Sequence, residues 1–423
     1  MSGLVDHLFR HEAGRMVAAL TRSFGAANLP LAEEVVQEAL LQALRRWPFH
    51  GVPDRPVAWL YRVARNAATD RFRHLRLHEG KEDQIRLSFE HAAAASSAGR
   101  RPDSYLSGEI TDDQLRLIFL CCHPALPAHG RVALTLKSVM GLSVGEIAGA
   151  LRGKTTAVAQ RITRAQRKIR AADFPFEVPP PDQLQERLGT VLEVLYLTFN
   201  EGYSTYESDE LLRPDLCSEA LRLAVGLTTA PAGDRPEVHA LVSLMGFQAS
   251  RLPARVDEDG ELVRLEDQDR SKWDPEPLKI AFHHLGRAAQ GSVETAYHLQ
   301  AAIAAEHAAA ADPDRTDWRT VVRYYDRLLR LQPSPIVGLN RAVALARLDG
   351  PRAGLAAVDA LAEHPSIQDY YLLGATRGDL LERLGRFAEA AAAFRSALSC
   401  PCSGPERRFL ERRRRAAEGA AGH

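Results

Sequence analysis

The sequence predicts an all-α protein built from more than one unit. Three observations carry that prediction. Leu, Ala, Arg and Glu dominate the chain, and apolar residues recur at intervals of three and four. No run alternates apolar and polar residues as a half-buried strand does. Prolines and glycines gather at a few places and leave long stretches between them uninterrupted. The 423 residues exceed what one core usually serves, and a 45% hydrophobic content is enough to fill several. No apolar run approaches the ~18 residues of a membrane span, and the N-terminus lacks a signal-peptide core. Five cysteines, an odd number without framework spacing, fit a reducing cytoplasmic setting.

Residues 31–47, LAEEVVQEALLQALRRW, form an amphipathic helix with its acids in the first half, where the helix dipole favours them. Val35, Leu40 and Leu44 are expected to face inward. Asn28-Leu29-Pro30 and the stretch Trp47-Pro48 to Val52-Pro53 are expected to break helices. A second helix follows at 56–74, with Trp59, Leu60, Val63 and Ala67 packing and Arg62, Arg65, Asn66, Arg71 and Arg73 outside or to one side. Basic residues beside aromatics can grip unpaired DNA by charge and stacking. The plainer reading of this segment is a helical hairpin with a Trp in its core. This gives a first helical domain at 5–77 and a polar, weakly periodic linker at 78–108.

The second domain, 109–173, carries the most informative motif, residues 141–170. Ser143 and Glu146 form a capping box, and Ile147, Ala148 and Leu151 a buried stripe. Gly153 permits a tight turn, and Thr155 or Thr156 is expected to cap the next helix. Val158, Ile162, Ala165 and Ile169 then share one face, while Gln160, Arg161, Arg164, Arg167, Lys168 and Arg170 share the other. A helix-turn-helix reader of the major groove needs short side chains and a Gln near base edges with arginines behind them. A basic solvated helix is the competing reading.

The triple proline Pro179-Pro180-Pro181 makes a stiff boundary. A large helical module follows at 182–415, divided into 182–300 and 301–415. In its second part Pro333, Pro365 and Pro401 recur, 32 and 36 residues apart. Gly378, Leu381, Gly385, Ala390, Phe394 and Ala397 stand in the order of a tetratricopeptide repeat, so a solenoid of helical hairpins is expected; an irregular bundle is the alternative. Asn200-Glu201-Gly202-Tyr203-Ser204 is expected to interrupt a hydrophobic helix, as a capping turn or as a regulatory pocket built on Asn200, Glu201 and Tyr203. Cys121-Cys122-His123, Cys400-Pro401-Cys402 and His283-His284 read as packing rather than metal ligands, because no second ligand pair accompanies them. No cofactor is expected.

Charge divides the chain. Residues 1–172 hold 25 Lys and Arg against 16 Asp and Glu, and the whole chain balances 54 against 54. The front is thus net +9 and the remainder −9, which separates a nucleic-acid-binding part from another.

Taken together, AEEVVQEALLQALRRW, PVAWLYRVARNAATDRFRH and LSVGEIAGALRGKTTAVAQRITRAQRKIR resemble, in order and spacing over residues 5–172, an extracytoplasmic-function sigma factor of the sigma-70 family. FLCCHPAL at 119–126 and the stretch from Phe174 to Ser204 resemble the subgroup with a long tetratricopeptide-like C-terminal extension. The resemblance implies a region 2 and a region 4 joined by a linker, with core RNA polymerase and promoter DNA as partners and no enzymatic activity. It implies that Glu33, Glu34, Gln37, Glu38 and Leu41 dock on polymerase. It implies that Phe49, His50, Arg62, Arg65, Asn66, Asp70 and Arg71 meet the melted minus-ten strand. Thr155, Thr156, Ala157, Gln160, Arg161, Arg164 and Lys168 would read the minus-thirty-five element. Two positions depart from the pattern: Leu31 stands where many members carry an acid, and Arg152-Gly153-Lys154 makes an unusually basic turn. The acidic extension is expected to regulate the basic front half, by intramolecular contact among other routes. A helical scaffold, or a DNA-binding regulator that acts without polymerase, is the alternative.

Overall fold

A computed structural model describes residues 2–79, 109–151, 153–172, 174–179, 181–204, 212–230, 233–258 and 260–422. Among these residues there is no β-strand, only an isolated bridge between Val256 and Leu262. The chain divides into two compact units, 1–198 and 199–423.

The first unit begins with α1 (Ser2–Phe24), α2 (Leu29–His50) and α3 (Pro56–Glu79). Met16, Leu20, Val35, Leu40, Leu60 and Ala64 are buried where these helices meet, each large aliphatic side chain worth about 1.5–3 kcal/mol. Trp47 is buried edge-on to Trp59 at 5.6 Å between ring centroids. Pro48 does not end α2, contrary to the expectation from the sequence. Pro48 sits in the last turn, where it denies the Leu44 carbonyl a hydrogen bond; the helix runs two residues further and stops at Gly51, whose φ of 80° suits glycine. The expected linker falls at residues 80–108, outside the described residues.

A second bundle follows: α4 (Glu109–Cys121), α5 (Ala128–Ser138), α6 (Val144–Ala150) and α7 (Thr155–Ala171). It packs directly on the first. Gly14 of α1 lies so close to Val139 that a Cβ built there would stand 1.9 Å from the Val139 carbonyl oxygen. Arg22 pairs with Asp113 at 3.2 Å. Glu33 of α2 is buried and accepts from Ser138 Oγ and, at 2.8 Å, from Gln166 Nε2 of α7. Helix α8 (Pro181–Tyr203) starts at the third proline. The unit boundary comes later, between Thr198 and Phe199, so most of α8 belongs to the first unit. There Arg187 Nη1 donates to the Phe119 carbonyl. Asn200 to Tyr203 form the last turn of this helix, which ends at Tyr203 with the Ser204 N–H on the Asn200 carbonyl at 2.9 Å.

The second unit contains α9 (Pro214–Thr229), α10 (Pro236–Ser250) and α11 (Pro275–Ala288). Helix α10 is buried on nearly every side, from Val238 to Phe247, as a central helix must be. Three helical pairs follow: α12 (Ala296–Ala309) with α13 (Trp318–Leu331), α14 (Pro335–Leu348) with α15 (Pro351–Leu361), and α16 (Tyr371–Arg383) with α17 (Phe387–Leu398). Helix α18 (Gly404–Ala421) closes the series. One core runs through α14 to α18 and includes Leu339, Val358, Leu381, Ala390 and Phe394. The Phe394 ring lies 2.7 Å from where a Cβ on Gly378 would be, so only glycine lets α16 and α17 approach this closely.

Candidate nucleic-acid and polymerase interface

Helix α2 presents a face that its own bundle does not cover. Glu34, Gln37, Leu41 and Leu44 fall at intervals of three, four and three, on one side of the helix. Leu41 is 52% exposed and Leu44 41% exposed. Leu44 was expected inside; it points out because Val36, Leu40 and Ala43 already fill the inner face. Glu38 is half-buried beside this stripe. Glu34 and Glu38 both reach Arg71 of α3, at 2.7 and 3.1 Å. Glu33 does not share the stripe, since it faces the second bundle. Burial raises its carboxyl pKa, against the lowering effect of Ser138, Lys137 and Gln166. An apolar stripe flanked by carboxylates is a surface suited to another protein.

At the C-terminal end of α2, Phe49 is 85% exposed, and His50 is exposed beside it. An aromatic ring held this far into solvent has no packing role in this unit and is free to stack. Arg62, Arg65, Asn66 and Asp70 are exposed along α3, with Arg71 half-buried between α2 and α3. The buried residues of α3 are Leu60, Ala64 and Ala68; Trp59, Val63 and Ala67, expected to pack, lie half-buried at the edge.

In the second bundle Ser143 caps α6: its Oγ accepts from the Glu146 N–H at 3.2 Å, and the Glu146 carboxylate accepts from the Ser143 N–H at 2.7 Å. Gly153 N–H then closes the turn on the Ala148 carbonyl at 2.8 Å. Arg152 lies outside the described residues. Lys154, not Thr155 or Thr156, occupies the N-cap position of α7, with no side-chain cap. The two threonines are therefore the first exposed residues of the helix, with Ala157 half-buried behind them. Val158, Ile162, Ala165 and Ile169 are buried, all four as expected. Gln160, Arg164, Arg167, Lys168 and Arg170 are exposed on the opposite side and Arg161 is half-buried. The arrangement offers short polar groups at the helix start and cations behind.

Most of the other residues singled out in the sequence sit in packing positions, but His283, expected to pack, is exposed. Cys121 and Cys122 are buried; burial pushes the Cys122 thiol up to about 12 and its sulfur lies 3.6 Å from Thr135 Oγ1. His123 stacks on Phe174 at 4.2 Å. His284 is buried against His239, Nδ1 to Nδ1 at 2.7 Å, and burial pushes its pKa down to about 4. Glu201 is buried, and Tyr203 stacks on Phe199 and lies 3.8 Å under the Arg255 guanidinium. Asn200 is half-buried in the same turn.

Residues 8–77 match the family model described as Sigma-70 region 2, and residues 187–289 match a family of unknown function (DUF6596). A protein of Rhizobium meliloti (strain 1021), described as uncharacterized, is 40% identical over 410 residues, 97% of this chain and 95% of the relative. The RNA polymerase sigma factor CarQ of Myxococcus xanthus is 31% identical over 169 residues, 39% of this chain and 86% of the relative. The ECF RNA polymerase sigma-E factor of Escherichia coli (strain K12) is 29% identical over 164 residues, 38% of this chain and 80% of the relative. No solved structure matches. The match over α1 to α3, and a relationship to CarQ that spans most of that protein, lead to one assignment: the chain belongs to the sigma-70 family of RNA polymerase sigma factors.

Proposed function

We propose that the chain binds core RNA polymerase through α2 and directs it to promoters read by α7, acting in the cytoplasm without chemistry of its own. One observation carries this reading: Glu34, Gln37, Leu41 and Leu44 form an uncovered apolar and acidic stripe on the helix that ends in the exposed Phe49. Polymerase would cover the stripe. Phe49 and His50 would hold an unstacked base of the minus-ten element, with Arg62, Arg65, Asn66 and Asp70 along the strand and Arg71 tied to the docking helix. Unstacking a base costs a few kcal/mol, which the polymerase and duplex contacts offset. Helices α6 and α7 would act as a helix-turn-helix in the major groove at the minus-thirty-five element, with Thr155, Thr156, Ala157 and Gln160 near base edges and Arg161, Arg164 and Lys168 on guanine or phosphate. The helical pairs after Thr295 fit a tetratricopeptide-like extension that regulates the front half, and the Gly378–Phe394 contact supports that reading. We keep Asn200, Glu201 and Tyr203 as a regulatory region within it.

Run-off transcription with core polymerase and a genomic promoter library tests the function. The chain is expected to direct initiation at a defined set of sites. Leu41→Glu is expected to abolish polymerase capture, while Arg164→Ala leaves capture intact and loses promoter choice. Failure of the unmodified chain to bind core polymerase at low salt would overturn the proposal.

A further inference from the structure

The second unit holds a half-open cavity of about 350 Å³ between α13, α14, α16, α18 and the segments around 262–270 and 313–316. Its walls are mostly apolar and include Trp318, Leu372 and Phe409. That volume sits within the roughly 300–1,000 Å³ of small-molecule sites. Three small side chains, Ala344, Ala346 and Ala375, leave the space open.

Two buried polar atoms of the lining residues have no hydrogen-bond partner among the described residues. Thr316 lines the cavity and is 5% exposed, and its Oγ1 is buried without a hydrogen bond. Arg270 spends Nη1 on the carbonyls of His307 and Ala310, and its buried Nε is left over. A buried hydroxyl left unpaired is destabilising, so a ligand atom toward which the Thr316 hydroxyl could turn would relieve that penalty.

The charges around the space are cationic in excess. Arg264, Arg270, Arg347, Arg383 and Arg413 line it, against Glu266, Asp379 and Glu406. Glu406 is committed to the Tyr371 hydroxyl and to the Ser403 N–H that starts α18. Asp379 serves two arginines at once, Arg264 at 2.8 Å and Arg413 at 2.9 Å. Arg347 pairs with Glu266, and Arg413 also reaches Glu382. No described carboxylate is paired with Arg383. Asp267 and Asp314 line only the more open depression beside the cavity, and Asp267 is held by Arg264 at 2.7 Å. Burial lowers the Arg347 pKa, with repulsion from Arg383 adding to it and Asp379 opposing it.

We infer that this cavity binds an amphipathic organic anion, with an aromatic or aliphatic body against Trp318 and Phe409 and an acidic head among Arg383, Arg270 and Thr316. An inorganic anion alone would leave the apolar walls unsatisfied; an uncharged hydrocarbon would leave the arginines so. This site is separate from the polymerase reading and stands or falls without it.

Fluorescence titration of the full chain with anilinonaphthalene sulfonate, an aromatic anion, tests the site. One saturable site is expected. Arg383→Ala and Thr316→Val should each weaken probe binding by about tenfold, the loss of one charge-assisted or buried hydrogen bond. Ala375→Trp, which fills the space, should remove the site while the helical circular dichroism and melting temperature stay unchanged. Decanoate should displace the probe at about tenfold lower concentration than decylammonium, and sulfate at equal ionic strength should not displace it. Binding that survives Ala375→Trp would overturn the inference. So would equal displacement by the cation, displacement by sulfate alone, or no saturable binding.

Discussion

Glu33 is a carboxyl group taken out of water between two bundles and given two donors there, Ser138 Oγ and Gln166 Nε2. Burial is the larger influence and raises its pKa. The sign follows from linkage. Above the ordinary glutamate range and below the raised value, the folded chain holds a proton that the unfolded chain has released. Stability is therefore fully present at low pH and declines as pH rises through the raised value. Glu33→Gln removes that titration and keeps hydrogen-bonding atoms. Its stability relative to the unmodified chain should increase from pH 4 to pH 8, as read by urea denaturation at each pH. Glu33→Ala instead strands two polar side chains and should destabilise the first unit by about 1–3 kcal/mol. A Gln variant whose stability follows the same pH profile as the unmodified chain would contradict this account of Glu33.

Between elements, the tightest joint is α1 against the turn after α5, where Gly14 meets the Val139 carbonyl. Backbone cannot yield as a flexible side chain does, so Gly14→Ala should push the bundles apart. A cost of about 1–3 kcal/mol is expected, with faster amide exchange around 128–142 than in α3. Unchanged exchange there would mean that the two bundles do not depend on this contact. The sequence showed neither this joint nor the burial of Glu33, because both partners lie more than a hundred residues away. What it showed well was periodic and local: the buried face of α7, residue by residue, and the capping box at Ser143. Leu44 was misread because periodicity marks an apolar position without saying whether core or partner will cover it. Thr155 and Thr156 read as caps because a cap and an exposed first-turn residue have the same composition. Pro48 reads as a stop, and the helix ends only two residues beyond it. The arginine-lined cavity draws its walls from many separate segments, so no window of sequence could announce it.

For the molecule as a whole, net charge is a poor guide to DNA binding, since 54 basic residues cancel 54 acidic ones. What matters is where the cations stand, and five of them lie together on α7: Arg161, Arg164, Arg167, Lys168 and Arg170. Each phosphate a cation neutralises releases counterions, so the logarithm of affinity falls with the logarithm of salt by about 0.9 per contact. A phosphate contact and a base contact therefore leave different traces. Arg167→Ala and Arg170→Ala, far from the helix start, should weaken promoter and scrambled DNA alike and flatten the salt slope by about 1 each. Gln160→Ala, near the start, should leave the slope unchanged and reduce preference for promoter over scrambled DNA by about 1–3 kcal/mol. Anisotropy titrations of the polymerase-bound chain between about 50 and 200 mM salt separate the two effects. If Gln160→Ala changes the slope and Arg167→Ala changes only the preference, the groove-facing end of α7 has been assigned backwards, and the helix must enter DNA by its other end.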